Sequence, residues 1–242
     1  LDNDNLKNWL PKAMRNFLEY NKTKVKVIYE WNEEYTKNIL KKEPVIIVAN
    51  HENDAEILFI SQLQNRDDIY LLANSDFQVV FPNFKTLPIY FNIEKPEEST
   101  KESVNIWFEF WPRLRWEQRL IANRESIAKA ADLLKKWAVV VIFPAWNSWY
   151  IDIWKNWIGF LLKKLNNYEK EVYYLEVEVK WTNWKTDFMR GFKYLGRFLT
   201  PFNYRFWTPI KISEFLKNEM NPKEITKKLE KRFKDWRLNN IK

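Results

Sequence analysis

Two stretches of this chain are apolar without alternation. Residues 44–49, Pro44-Val45-Ile46-Ile47-Val48-Ala49, and residues 138–144, Ala138-Val139-Val140-Val141-Ile142-Phe143-Pro144, offer water no polar face. Strands covered on both sides read this way, so the two runs are predicted as central, parallel neighbours in a sheet. Residues 172–179 instead alternate, with Val172, Tyr174 and Glu176 set against Tyr173, Leu175 and Val177, which predicts another strand. Shorter runs at residues 25–29, 68–73 and 88–93 complete the strand set.

Helical periodicity fills the intervals. Residues 4–20 carry Leu6, Leu10, Met14, Phe17 and Leu18 on one side, with Pro11 marking either a kink or the true start. Such a helix either packs on the domain or lies in a membrane interface. Residues 32–42 read as a short helix or loop. A helix over about residues 54–64, capped by Asn53 or Asp54, buries Ile57, Leu58 and Ile60, and residues 75–81 read as a short helix. A further helix over residues 124–136 presents Ile127, Ala130, Ala131 and Leu134. Residues 96–123, broken by Pro96 and Pro112, read as an insertion. Asn221-Pro222-Lys223-Glu224 supplies a cap, a first-turn proline and an N3 carboxylate ahead of the stripe Ile225, Leu229, Phe233. The alternation of strands and helices predicts an α/β fold: a mixed, largely parallel central sheet flanked by helices. The expected organisation is an N-terminal amphipathic helix (residues 1–23) followed by one domain (residues 24–242).

Charge and composition narrow the function. Forty lysines and arginines against 32 acidic residues give a formal charge of +8. That balance favours an anionic membrane surface, phosphate-bearing substrates or an acidic carrier protein. No nucleic-acid motif accompanies it, and nucleic acid is not expected as a partner. With no cysteine and one histidine, disulfides, thiolate zinc sites and histidine-rich metal centres are excluded. No run is long and apolar enough to span a bilayer and no signal-peptide pattern appears, while a chain beginning at leucine leaves room for an upstream anchor. The expectation is a cytoplasmic protein, peripheral on the inner face of the cell membrane.

The single histidine, His51, directly follows the first apolar run, with Asn50 before it and Glu56 five residues after it. Histidine is the side chain whose ordinary pKa suits proton transfer near neutrality. A lone turn histidine is as readily a hydrogen-bond donor to a backbone carbonyl, but Asn50-His51-x4-Glu56 resembles the His-x4-Asp motif of the PlsC-like glycerolipid acyltransferase superfamily, whose lipid A branch accepts glutamate at the last position. The resemblance implies that His51 is the general base on an acceptor hydroxyl and Glu56 the carboxylate that orients its ring, with Asp54 the alternative orienter. A second likeness joins Ile89-Tyr90-Phe91-Asn92 to the centre of the family's Gly-x-Ile-Phe-Ile-Asp-Arg motif. The arginine that grips the acceptor phosphate there is missing, and Lys95 is the cation at hand. The run Phe143-Pro144-Ala145-Trp146-Asn147-Ser148 resembles Phe-Pro-Glu-Gly-Thr-Arg, with alanine for glutamate and tryptophan for glycine. Trp154 to Leu162 resembles the segment that starts the family's next helix, and Tyr204 to Ile210 a late strand. The resemblance spans roughly residues 25–212. It implies acyl transfer from acyl-CoA or acyl-ACP to a lysophospholipid or related lysolipid hydroxyl, without a resident cofactor or metal. Asn50, Asn92, Lys95, Phe143, Pro144, Ala145, Trp146, Asn147 and Ser148 are then the substrate-binding set. A catalytically silent lipid-binding relative and an esterase-like hydrolase are the alternatives.

One compositional feature bears on that third motif. At a typical glycine frequency of about 7%, a chain of this length would hold roughly 17 glycines. This one holds 3 glycines and 14 tryptophans. Several tryptophans stand where glycine makes physical sense: Trp137 between a helix and a strand, Trp31 at a strand end, Trp181 and Trp184 in an expected turn, and Trp146 in the motif. The reading is a gene in which UGA encodes glycine, translated with UGA as tryptophan. UGG codons at these positions exclude it.

Overall fold

In the computed structural model, residues 9–20, 24–50, 56–63, 66–74, 85–89, 116–144, 154–166, 168–181, 202–216 and 220–239 are described. His51, Asn92, Lys95, Ala145, Trp146, Asn147 and Ser148 lie outside them, as do residues 75–81 and 90–115.

The elements run α1 (Trp9–Tyr20), β1 (Val25–Tyr29), α2 (Glu33–Lys42), β2 (Val45–Ala49), a 3₁₀ segment (Glu56–Gln62), β3 (Ile69–Asn74), β4 (Thr86–Ile89), α3 (Trp116–Lys135), β5 (Val139–Ile142), α4 (Trp157–Leu165), β6 (Tyr173–Trp181), β7 (Phe202–Phe206), β8 (Ile210–Lys211), α5 (Ile212–Phe215) and α6 (Pro222–Asn239). They build one eight-stranded sheet in the order β1-β7-β6-β2-β5-β3-β4, with β8 also on β6. All neighbours pair in parallel except β6 with β7 and β6 with β8. The mixed, largely parallel sheet flanked by helices is therefore the fold the patterning predicts.

Both apolar runs are central strands, buried at every position. Alternate side chains divide between two cores. Ile46, Val48, Val140 and Ile142 meet α3, α4 and α6 on one face. Val45, Ile47, Val139 and Val141 meet α1, α2 and the 3₁₀ segment on the other. Leu18 of α1 is buried in the second core, and the Arg15 guanidinium donates to the Ser61 carbonyl at 2.9 Å, so this helix packs on the sheet. At α6, the Asn221 side chain accepts from the N–H groups of Lys223 and Glu224, while Glu224 accepts from the Asn221 N–H at 2.8 Å. This reciprocal cap is the one its sequence predicts.

Four boundaries depart from the patterning. The helix expected over 54–64 is, where described, a 3₁₀ segment, in which Phe59, Ile60 and Ser61 are buried, as is Leu63 directly after it. Strand β4 begins at Thr86, ahead of Pro88, and a proline fits because β4 is an edge strand. Helix α3 starts at Trp116, absorbing the end of the expected insertion. Strand β6 runs on past Val179 to Trp181, which pairs with Phe202, while residues 182–184 of the expected turn lie outside the described residues. Among the described residues no helix is long and apolar enough to cross a membrane.

Candidate active site

The 3₁₀ segment between β2 and β3 lies on the α1/α2 face, whereas α4, between β5 and β6, lies on the opposite face. Two adjacent parallel strands whose connections diverge in this way open a crevice beyond their carboxyl ends. The register Val48↔Ile142 brings Asn50 and Pro144 out of the sheet side by side at that crevice. These are the strand ends that lead into residue 51 and into residues 145–148. The Lys155 N–H donates to the Pro144 carbonyl at 3.1 Å, which ties the end of the intervening segment to its beginning. Phe143 is half-buried against the second core and Pro144 is buried.

Asn50 is 4% exposed. Its side-chain amide donates to the Val179 carbonyl at 3.0 Å, and its side-chain oxygen accepts from the Val179 N–H at 2.7 Å. Strand β2 pairs with β6 only as far as Ala49↔Val177, so the carboxamide serves the β6 backbone just past the last rung. Glu56 is the first residue of the 3₁₀ segment.

Beside the crevice, the outer part of β6 carries charge that local patterning does not flag. Arg205 on β7 donates to Glu178 at 2.7 Å and to Glu30, and the Trp236 indole N–H of α6 donates to Glu30 at 2.7 Å. Arg237 donates to Glu178 at 3.0 Å, and Lys180 lies 3.4 Å from the same carboxylate. Deeper in the sheet, Glu176 accepts from the Tyr174 hydroxyl at 3.0 Å and from Arg232 at 3.1 Å. Burial pushes the Glu176 carboxyl up to about 7, with Arg232 and the Tyr174 bond pulling the other way; burial also drives the Tyr174 hydroxyl well above its ordinary value. Only the polar positions of an otherwise buried strand, Glu176 and Glu178, signal this cluster in the sequence. Among the described residues no cluster of three or more histidine, cysteine or carboxylate side chains is arranged to hold a metal ion.

Sheet order defines an open α/β protein, with the candidate site at the point where the strand order switches direction. No family model matches the chain, and no curated protein does. Among solved structures it is similar to the 1-acyl-sn-glycerophosphate (LPA) acyltransferase PlsC from Thermotoga maritima, with a TM-score of 0.50 over 96% of this chain and 78% of that one, at 19% identity. At that identity the two share a fold.

Proposed function

We propose that the chain is an O-acyltransferase that moves a fatty acyl group from acyl-CoA or acyl-ACP to a hydroxyl of a lysophospholipid or related glycerolipid. The observation that carries the reading is the strand order: the two motifs singled out in the sequence, about 90 residues apart, follow neighbouring strands that end side by side. The shared fold with PlsC supports it.

In this reading an imidazole nitrogen of His51 takes the acceptor's hydroxyl proton as the oxygen attacks the thioester carbonyl carbon. Glu56 holds the ring's other N–H and stabilises the imidazolium. Backbone amides of residues 145–148 face the developing oxyanion. Collapse of the tetrahedral intermediate forms the ester, breaks the C–S bond, and returns the proton from His51 to the departing thiolate. Lys95 with Asn92 receives the acceptor head group as a point charge, in place of a bidentate arginine. Exposed Lys223, Lys227, Lys228 and Lys231 on α6 suit an anionic membrane, consistent with a peripheral protein on the cytoplasmic side.

A glycine at 146 would open the backbone of the third motif to an oxyanion, whereas an indole there blocks it. Protein carrying tryptophan at 146 is therefore expected to turn over poorly, and Trp146→Gly to restore the rate.

Acyl thioester consumption measured with and without lysolipid, on Trp146→Gly protein and its His51→Ala variant, tests the proposal. Acceptor-dependent consumption that drops about 10²- to 10⁴-fold on loss of the histidine supports it. Consumption independent of acceptor assigns a hydrolase, and none in either protein a silent lipid-binding relative.

A further inference from the structure

We infer that Asn50 is a positioning residue for the His51 base and not a substrate contact; the inference rests on the acyltransferase reading. Beyond the last β2 rung, Val179 presents an N–H and a carbonyl that the departing strand no longer meets. A carboxamide is a side-chain copy of a peptide group, with one acceptor and one donor set side by side. Asn50 places both on Val179, in a position almost closed to water. The bonds do two things at once. They satisfy backbone groups that would otherwise be buried without partners, and they fix the Cα of residue 50, from which the chain enters position 51. Aspartate keeps the acceptor but sets a second oxygen against the Val179 carbonyl, and alanine offers neither group. Glutamine keeps both, one methylene further out.

The consequence is specific to kcat. A base carried on a loosened strand end loses its alignment with the hydroxyl, and a misplacement of about 1 Å costs on the order of 100-fold in rate. Substrate affinity, set by groups elsewhere in the crevice, does not follow.

His51 is the only histidine in the chain, so its imidazole gives one set of ring resonances that can be titrated by NMR without assignment. The experiment compares the full chain carrying Trp146→Gly, as the parent, with its Asn50→Asp, Asn50→Ala and Asn50→Gln variants, using ring titration together with steady-state kinetics on acyl-CoA and lysophosphatidic acid. Expected for the aspartate and alanine variants is an altered or broadened ring titration, with kcat down about 100-fold and both KM values within about twofold; glutamine recovers part of kcat. An acceptor KM that rises while kcat holds would make Asn50 a substrate contact and overturn the inference. So would an unchanged ring titration with unchanged kcat. Should the alanine variant not fold, the aspartate and glutamine variants carry the same comparison. Equal turnover by the parent and His51→Ala proteins sinks the acyltransferase reading alone, because the ring titration still reports whether Asn50 governs His51.

Discussion

Strands β2 and β6 are neighbours, yet they are held by different physics. All five residues of β2 are apolar and buried between two layers of aliphatic side chains. On β6, Glu176 and Glu178 point into the space beneath α6 and find Arg232, Arg237 and Arg205 there. Aliphatic contacts are non-directional and tolerate small changes in shape. A buried carboxylate requires its own partner, so the flank fixes the register in which α6 and β7 dock, at a cost in desolvation. The crevice thus lies between a centre that is stable because it is dry and a flank whose alignment depends on charge.

That contrast is most directly broken at Arg205. Arg205→Ala takes one cation from Glu30 and Glu178 together and leaves Glu178 in the interior with only Arg237 and Lys180. A loss of about 3–5 kcal/mol in urea unfolding is expected. Ile47→Val, at a fully buried site, should cost only about 0.5–1.5 kcal/mol. A smaller loss at Arg205 than at Ile47 would mean that the charge cluster is incidental to the fold.

Glu176 sharpens the same point through pH. Its carboxyl is raised from 4.5 to about 7 in the folded protein, chiefly by burial. Below pH about 4.5 both folded and unfolded chains hold the proton and the group has no effect. Between there and about pH 7 the folded protein keeps a proton that the unfolded chain releases, so stability falls as pH rises. The loss is complete above about 7 and amounts to on the order of 3 kcal/mol. Glu176→Gln, whose side-chain oxygen accepts from Arg232 while its amide N–H can donate to the rotatable Tyr174 hydroxyl, should flatten this part of the stability profile and leave the protein more stable than the parent at pH 8. Parallel pH profiles for the two proteins would show that Arg232 keeps Glu176 ionised throughout.

The two regions were also unequally legible in the sequence. β2, β5 and the cap of α6 are encoded within a few residues of themselves: an unbroken apolar run, or an asparagine at the cap, a proline at the first helical position and a glutamate at the third. The flank is not. Trp236 and Glu30 are 206 residues apart, Arg205 and Glu178 are 27 apart, and no local periodicity relates them. Asn50 shows the same limit, since its partner Val179 lies 129 positions downstream and the amide's neighbour in sequence, His51, suggests a substrate role. The early start of α3 was obscured by Pro112 and an aromatic-rich approach that patterning reads as irregular. The crevice itself followed from topology: two apolar runs announce two central strands, but only the strand order shows that their connections diverge.

The tryptophans extend the comparison to a smaller energy. Trp236 behaves as a tryptophan: it is buried, bonds Glu30 and stacks on Trp207 with ring centroids 5.1 Å apart. Trp137 behaves as a glycine would. It is 43% exposed and has a φ of 72°, the sole non-glycine residue with positive φ among those described. Its N–H donates to the Leu134 carbonyl at 3.0 Å and the Ala138 N–H to Leu133 at 3.1 Å, the paired bonds of a Schellman cap on α3. A side chain in this left-handed conformation costs about 1–2 kcal/mol, while Lys170 over the exposed ring, 5.4 Å from its centroid, returns about 0.5–1. Trp137→Gly should therefore stabilise the protein by at most about 1 kcal/mol in urea unfolding, because glycine's greater freedom when unfolded offsets part of the strain it relieves. Trp137→Ala, which keeps the strain and loses the ring contact, should fall below the parent. The order glycine, tryptophan, alanine separates relief of backbone strain from loss of side-chain contact, because contact loss alone would put glycine last. Trp236→Gly must move the other way, since it empties a buried site in mid-helix. Were both substitutions destabilising, position 137 would be an ordinary tryptophan site, and the structural support for glycine there would be gone.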